Sequence, residues 1–200
     1  MSEWPTSWQT LLRAHWDAMA GADFFTTEVW TWRGLVTVYT VFVIEVASRR
    51  VHIAGSTPHP DERFMQQVLR TLTTAEDGPL VQHHVLICDR DTKWSAPVRA
   101  RLDEAGIRVV QTPYQAPNAN AYAERCVRSI KQECLSRVMP FDKCHLRRTI
   151  AEYVEPYHRE RNQQGLGNAL IDGTTHRLTG TRIRRRPRLN GLLNYYERAA

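Results

Sequence analysis

Cysteine is scarce and scattered. The four present, Cys88, Cys126, Cys134 and Cys144, form no C-x-x-C pair and no regular spacing, which excludes a disulfide framework and a cysteine zinc site. They read as reduced thiols of a cytosolic protein. Long hydrophobic runs are lacking too. The longest, Leu35 to Val46, spans 12 residues and is interrupted by Glu45, too short and too rich in β-branched residues for a membrane helix. The N-terminal Met-Ser-Glu-Trp-Pro has no basic region ahead of an apolar stretch, so no secretory signal is visible. Gly and Pro, 10 each, follow no period, which removes collagen-like and low-complexity readings. These absences leave a cytoplasmic protein with no membrane association.

What is present is an ordinary globular balance, 42% hydrophobic and 24% charged over 200 residues, enough for one well-cored domain and a small appendage. The charge is uneven. Lys and Arg number 27 against 21 Asp and Glu, a net +6. Residues 171–200 hold Arg177, Arg182, Arg184, Arg185, Arg186, Arg188 and Arg198 against Asp172 and Glu197. That is +5, and it leaves +1 for residues 1–170. A basic tail on a nearly neutral body suits a polyanion, nucleic acid being the commonest, or else a solvated end that keeps the chain soluble.

Periodicity gives strands first and helices later. Trp8, Leu11, Leu12, His15, Trp16 and Met19 recur at helical spacing, predicting a short amphipathic helix over 6–19. Three β-branched or aromatic runs, 22–30, 35–46 and 51–55, are close enough for an antiparallel meander. A helix follows over 61–75, a strand over 84–88, a helix over 95–104 closed by Gly106, and a strand over 107–110. Two further helices are predicted, 118–138 and 142–160. The order βββαβαβαα indicates an α/β domain with a mixed five-stranded sheet.

Three carboxylates stand at informative positions. Asp23 interrupts an apolar, aromatic strand, Asp89 closes the strand ending Val85-Leu-Ile-Cys, and Glu124 lies opposite the apolar stripe Ala123, Val127, Ile130 and Cys134 of its helix. Acidic groups at apolar strand ends are costly unless their charge is compensated. A divalent ion does this, and hard oxygen donors suit Mg²⁺ or Mn²⁺. Two such ions on a shared carboxylate set serve in-line phosphoryl displacement. Taken singly, each residue also reads as an ordinary strand-end, turn or solvated acid. Asn120, Arg128 and Lys131, at −4, +4 and +7 from Glu124, share its helix face. That face reads equally as a metal-and-phosphate surface or as an i,i+4 ion pair.

The segments Ala22-Asp-Phe-Phe-Thr-Thr-Glu-Val-Trp-Thr31, Leu86-Ile-Cys-Asp-Arg-Asp-Thr-Lys-Trp94, Pro117-Asn-Ala-Asn-Ala-Tyr-Ala-Glu-Arg125 and Tyr157-His-Arg-Glu-Arg-Asn-Gln-Gln-Gly-Leu-Gly167 together carry a resemblance. The chain resembles the catalytic core of the retroviral integrase superfamily, specifically bacterial insertion-sequence transposases with an Asp, Asp, Glu triad. Asp89 and Glu124 have 34 residues between them, close to the family's spacing of about 35.

The resemblance implies a ribonuclease H-like fold in which Asp23, Asp89 and Glu124 converge on two Mg²⁺ (or Mn²⁺) ions. It implies that Asp89, which closes the fourth strand, takes the ligand role rather than Asp91, which would be a supporting or turn residue. It implies hydrolysis that frees a 3′-hydroxyl at a DNA end, then attack of that hydroxyl on target DNA, with no covalent protein–DNA intermediate. Arg128 and Lys131 would contact DNA phosphates, joined by Arg182, Arg184, Arg185, Arg186 and Arg188 of the tail. The expected partners are element ends and target DNA and at least a second copy of the chain, in a nucleoid-associated setting.

On this reading residues 1–19 are an N-terminal helix, 20–170 the integrase catalytic core and 171–200 the basic tail. Only 22 residues precede Asp23, room for one helix but not for the helix-turn-helix region such transposases usually carry there. Two other readings are a ribonuclease H-like nuclease that only hydrolyses, for which a fourth carboxylate near the metals is expected, and an inactive remnant that binds nucleic acid through its tail. Lesser features take plain roles: His83 and His84 exposed before a strand, Trp30 and Trp32 packed or at a strand end, Cys88 a small core residue.

Overall fold

The computed structural model describes residues 15–74, 78–112, 120–172 and 182–199. Its strands are β1 (Met19–Thr31), β2 (Gly34–Glu45), β3 (Val51–Thr57), β4 (Val85–Cys88), β5 (Arg108–Gln111), β6 (Arg182–Arg188) and β7 (Leu193–Ala199). Its helices are α1 (Glu62–Thr73), α2 (Ala96–Glu104), α3 (Ala121–Ile130) and α4 (Lys143–Arg159). The predicted order and the mixed five-stranded sheet are both present. Of the helix expected over 6–19, residues up to 14 lie outside the described ones; Trp16–Ala18 make a single 3-10 turn and Met19 already opens β1. The long helix expected to 138 is regular only to Ile130, after which Lys131–Leu135 widen into a π turn.

The chain divides into two compact units, residues 1–26 with 38–125, and residues 27–37 with 126–200. The first is built on the sheet, whose strand order is β3-β2-β1-β4-β5. Two residues join β1 to β2, a connection that only antiparallel neighbours allow. β3 pairs antiparallel with β2, while β4 runs parallel to β1 and β5 parallel to β4. The central strands are apolar on both faces, as burial on both sides requires.

Alternation along those strands sorts the two faces. Ala20 and Ala22 of β1, and Leu86 and Cys88 of β4, join Val41 and Val43 in one cluster with Met65, Val68, Leu69 and Leu72 of α1 and Val98 and Leu102 of α2. Met19 of β1, and Val85 and Ile87 of β4, belong to a second cluster that includes Val46, with Trp16 and Tyr122 packed against it. Successive strand residues face opposite ways, so Gly21, Asp23 and Asp89 continue the series of Met19, Val85 and Ile87, on the face where Tyr122 of α3 packs.

The helices begin and end where local chemistry requires. Asp61 caps α1, its Oδ1 accepting from the Phe64 N–H at 2.8 Å, and Met65, Val68, Leu69 and Leu72 form its buried stripe. α2 starts with Pro97 in its first turn and stops at Gly106, whose φ of +78° suits glycine. His83, expected exposed, is buried just before β4, whereas His84 is exposed.

The second unit contains the tip of the β1–β2 hairpin, α4 and the β6–β7 hairpin. At the tip the Thr31 hydroxyl donates to the Gly34 carbonyl at 2.8 Å. Trp32 there is 87% exposed with the Arg33 guanidinium over its ring, so it packs on no core. Asp142 caps α4 through the His145 N–H at 2.6 Å, and Leu146, Ile150, Tyr153 and Tyr157 are buried along it. Beyond 181, Arg182–Arg188 and Leu193–Ala199 pair as an antiparallel hairpin, an order that charge counting alone did not show. Among the described residues, no helix is long and apolar enough to cross a membrane.

Candidate functional site

Asp23, Asp89 and Glu124 all belong to the first unit. The β1–β4 register pairs Met19 with Val85, Ala20 with Leu86 and Gly21 with Ile87. Carried two residues further, it brings Asp23 level with Asp89. Neighbouring strands lie about 4.8 Å apart, so by this register Asp23, within β1, and Asp89, just past the end of β4, lie on one face of neighbouring strands.

The third carboxylate enters on α3, and its approach is fixed by an amide. Asn120, immediately before α3, is buried, and its Nδ2 donates to the Ala22 carbonyl at 3.2 Å, one residue from Asp23. Its Oδ1 lies only 2.8 Å from where a Cβ on Gly21 would sit. Glycine at 21 is what lets the amide close on β1. Helical spacing puts Asn120 on the same solvent face as Glu124; instead it turns inward and ties the start of α3 to β1. The Glu124 N–H bonds to the Asn120 carbonyl at 3.0 Å, so the tie reaches the residue whose side chain is in question. Opposite, the Arg49 guanidinium stacks on Tyr122, 3.5 Å from the ring centroid.

Electrostatics record the proximity of the acids. Burial pushes the Asp23 carboxyl up to about 6; the Phe24 N–H, bonded to its Oδ1 at 2.7 Å, opposes this, and the charges of Asp89, Glu124 and Asp91 add to it. Asp89 is also raised, by burial first, with Asp91 adding and the Asp91 N–H and Lys93 opposing. Neither Asp23 nor Asp89 has an ion-pair partner among the described residues. Glu124 is exposed, and its carboxylate makes no hydrogen bond or ion pair among the described residues.

Asp91 behaves differently. Despite burial, hydrogen bonds from Lys93 hold it below the usual carboxylate range. Its Oδ2 accepts from the Lys93 ammonium at 2.6 Å and its Oδ1 from the Lys93 N–H at 2.9 Å. As the side chains stand, no three His, Cys, Asp or Glu among the described residues are grouped closely enough to hold a metal ion. The donor set nonetheless fits a divalent cation by its chemistry: two half-buried carboxylates that make no ion pair among the described residues and a third on an unengaged side chain.

The predicted DNA-contacting residues belong to the second unit. Arg128 and Lys131 are exposed. Arg182 opens β6, and Arg184, Arg185 and Arg186 are exposed. Arg188 bonds to Glu160 at the end of α4, and Arg186 lies 3.9 Å from the same carboxylate. Two of the five tail arginines are thus engaged in fixing the hairpin. Composition could not separate them from their neighbours, because the acid they meet lies 28 residues earlier in the chain than Arg188. The conspicuous run Tyr157–Gly167 contributes a second internal cluster: Glu133 accepts from Tyr153 at 2.9 Å and from Arg161 at 2.8 Å. Nothing in the residue pattern pointed to Lys93, which lacks a helical or strand periodicity.

Three comparisons bear on this arrangement. Residues 105–170, which include Glu124 but neither Asp, match the family profile of the integrase core domain. Comparison with curated proteins finds no match. Among solved structures the chain is similar to one in the cryo-EM structure of the simian T-cell lymphotropic virus intasome in complex with PP2A regulatory subunit B56 gamma. The TM-score is 0.56 at 10% identity, over 90% of this chain and 66% of that chain; at that identity the likeness is one of fold. The integrase core match over residues 105–170 thus sits within a ribonuclease H-like fold.

Proposed function

We propose that this chain is the catalytic core of a DNA strand-transfer enzyme of the insertion-sequence transposase type. It would hydrolyse DNA at a 3′ end and then join the freed 3′-hydroxyl to target DNA. The observation that carries this reading is the placement of Asp23 within β1 and Asp89 just past the end of β4, the strand that pairs with β1, with the Glu124 charge near enough to act on Asp23. The integrase core match around Glu124 supports it.

Asp23, Asp89 and Glu124 would hold Mg²⁺ or Mn²⁺, two ions in all. Bound there, such ions supply an acidified water and charge stabilisation at a phosphate under attack. The protein supplies the rest. β1 and the end of β4 would present Asp23 and Asp89 on one face, and the Asn120 amide, bonded to the Ala22 carbonyl, would hold the start of α3 near them. Glu124 stays unengaged, so its carboxylate is free to turn toward the pair. Exposed Arg128, Lys131, Arg184 and Arg185 would meet the DNA backbone, giving affinity without sequence choice. Acting on two DNA ends calls for at least two copies of the chain, and the intasome likeness supports an assembly.

The test is a plasmid nicking and strand-transfer assay in Mg²⁺ or Mn²⁺, resolved on a gel. Wild-type protein nicks and joins, while Asp23→Asn, Asp89→Asn and Glu124→Gln each do neither and keep the wild-type circular dichroism. Full activity in any one of these variants overturns the assignment of that residue; activity in all three, or in EDTA, overturns the function.

A further inference from the structure

A fourth carboxylate stands beside the proposed triad. Asp91 lies two residues past Asp89 and donates its N–H to the Asp89 Oδ1 at 3.2 Å, and its charge acts on both Asp23 and Asp89. A carboxylate so placed is a natural fourth oxygen ligand for a hard cation. It is already engaged. Both of its oxygens are taken by one residue, Oδ1 by the Lys93 N–H at 2.9 Å and Oδ2 by the Lys93 ammonium at 2.6 Å.

Lys93 is held in turn. Its side chain is 18% exposed, and its ammonium lies 5.1 Å from the Phe24 ring centroid and 5.2 Å from that of Tyr39. Two aromatic rings on adjacent strands confine the cation. A surface lysine swings freely on its four-carbon stem; this one is fixed by a carboxylate and two rings. Phe24 also follows Asp23 directly in β1, so the clamp on Asp91 is built on the strand that carries the first ligand.

We infer that Lys93 is a positioning residue that withholds Asp91 from the divalent-ion site, leaving Asp89 as the ligand at the end of β4. The inference rests on the proposed function, since it concerns which carboxylates of that site meet the metal. It also accounts for a nearby fourth acid in a site that works with three. Without the ammonium, Asp91 Oδ2 loses its ion pair while Oδ1 keeps the backbone N–H of residue 93, and a site that gains one more carboxylate oxygen binds a divalent ion more tightly.

Titration of the purified full chain with Mn²⁺ alone, followed by the electron paramagnetic resonance of the free ion, tests this without any catalytic readout. Lys93→Met, which keeps most of the stem between the rings, binds Mn²⁺ on the order of tenfold more tightly than wild type. The double variant Asp91→Asn with Lys93→Met returns to wild-type affinity, and so does Lys93→Arg. Asp91→Asn alone leaves the Lys93 ammonium unpaired near the site and so binds Mn²⁺ a few-fold more weakly without losing it, an arm that stands even if Lys93→Met does not fold. Unchanged affinity in folded Lys93→Met overturns the inference. Loss of binding in Asp91→Asn overturns it too, because Asp91 is then itself a ligand. Failure of the underlying function has a different signature: wild-type protein binds no Mn²⁺, or Asp23→Asn binds it as wild type does, and the inference falls with it.

Discussion

Asp23 and Glu45 are half-buried carboxylates on adjacent strands of one sheet, and their surroundings drive them in opposite directions. Glu45 ends β2 beside His52, whose Nε2 lies 2.9 Å from its Oε1, and beside Ser48, whose hydroxyl donates to Oε2. Burial works against the charge there, but those hydrogen bonds outweigh it and hold the group at about 2. Asp23 has one backbone N–H and three acidic neighbours, and burial drives it up to about 6. A folded protein that merely needed to close this sheet would have furnished both acids alike. The difference supports the proposal that Asp23 meets its compensating charge in a bound divalent ion.

The largest effect that could break this comparison is catalytic. Asp23→Asn should lower metal-dependent DNA cleavage on the order of a thousandfold or more, whereas Glu45→Gln should leave the cleavage rate of folded protein near wild type. Equal losses in both would remove the distinction between them.

Stability sharpens it next, and the signs differ. The folded value for Asp23 lies above its unfolded value of 3.8. Its ionised form is therefore disfavoured by folding, and metal-free stability falls as pH rises from about 4 to about 6. Asp23→Asn should raise the stability of metal-free protein at pH 7 by about 2 kcal/mol, measured by urea unfolding in EDTA. For Glu45 the folded value lies below the unfolded 4.5. Its stabilisation is complete above about 4.5 and is lost as pH falls toward about 2. Glu45→Gln should therefore cost about 2 kcal/mol at pH 7 and flatten the acid limb of the stability profile. A destabilised Asp23→Asn would mean that the carboxylate has a partner after all.

Removing the amide that sets α3 is a smaller perturbation. Asn120→Ala should cost about 1 to 3 kcal/mol, as expected for leaving a buried carbonyl unpaired, and should lower cleavage while leaving Glu124 in place. Smallest is the electrostatic readout of the hairpin. Replacing Arg184 and Arg185 by Ala should reduce the slope of log affinity for DNA against log salt by about 0.9 for each phosphate the two arginines neutralise. An unchanged slope would assign them to solubility alone.

Much of the sheet was legible because its signal is local. β-branched runs bounded by turns, and helices with capping acids and apolar stripes, follow from residues near in sequence. Asp23 stood out for the same reason, as an acid within an aromatic strand. What was not legible depends on partners far apart in the chain. Asn120 looks solvent-facing by helical spacing, yet it meets Ala22, 98 residues away. Arg188 looks like any tail arginine until Glu160 is beside it. His83 looks exposed next to His84, yet it is buried. Asp91 and Asp89 are equivalent as letters, and only the Lys93 side chain separates them.

The strand register has a consequence for which changes in length the chain tolerates. Strand residues alternate faces, so deleting a single residue from 19 to 22 while the pairing of β1 with β4 holds would send the first carboxylate into the α1–α2 layer. Deleting two would restore its face but move it out of level with Asp89 by about 7 Å. β1 thus counts as well as pairs: insertions and deletions are judged there by parity first and by distance second, and only the full count satisfies both.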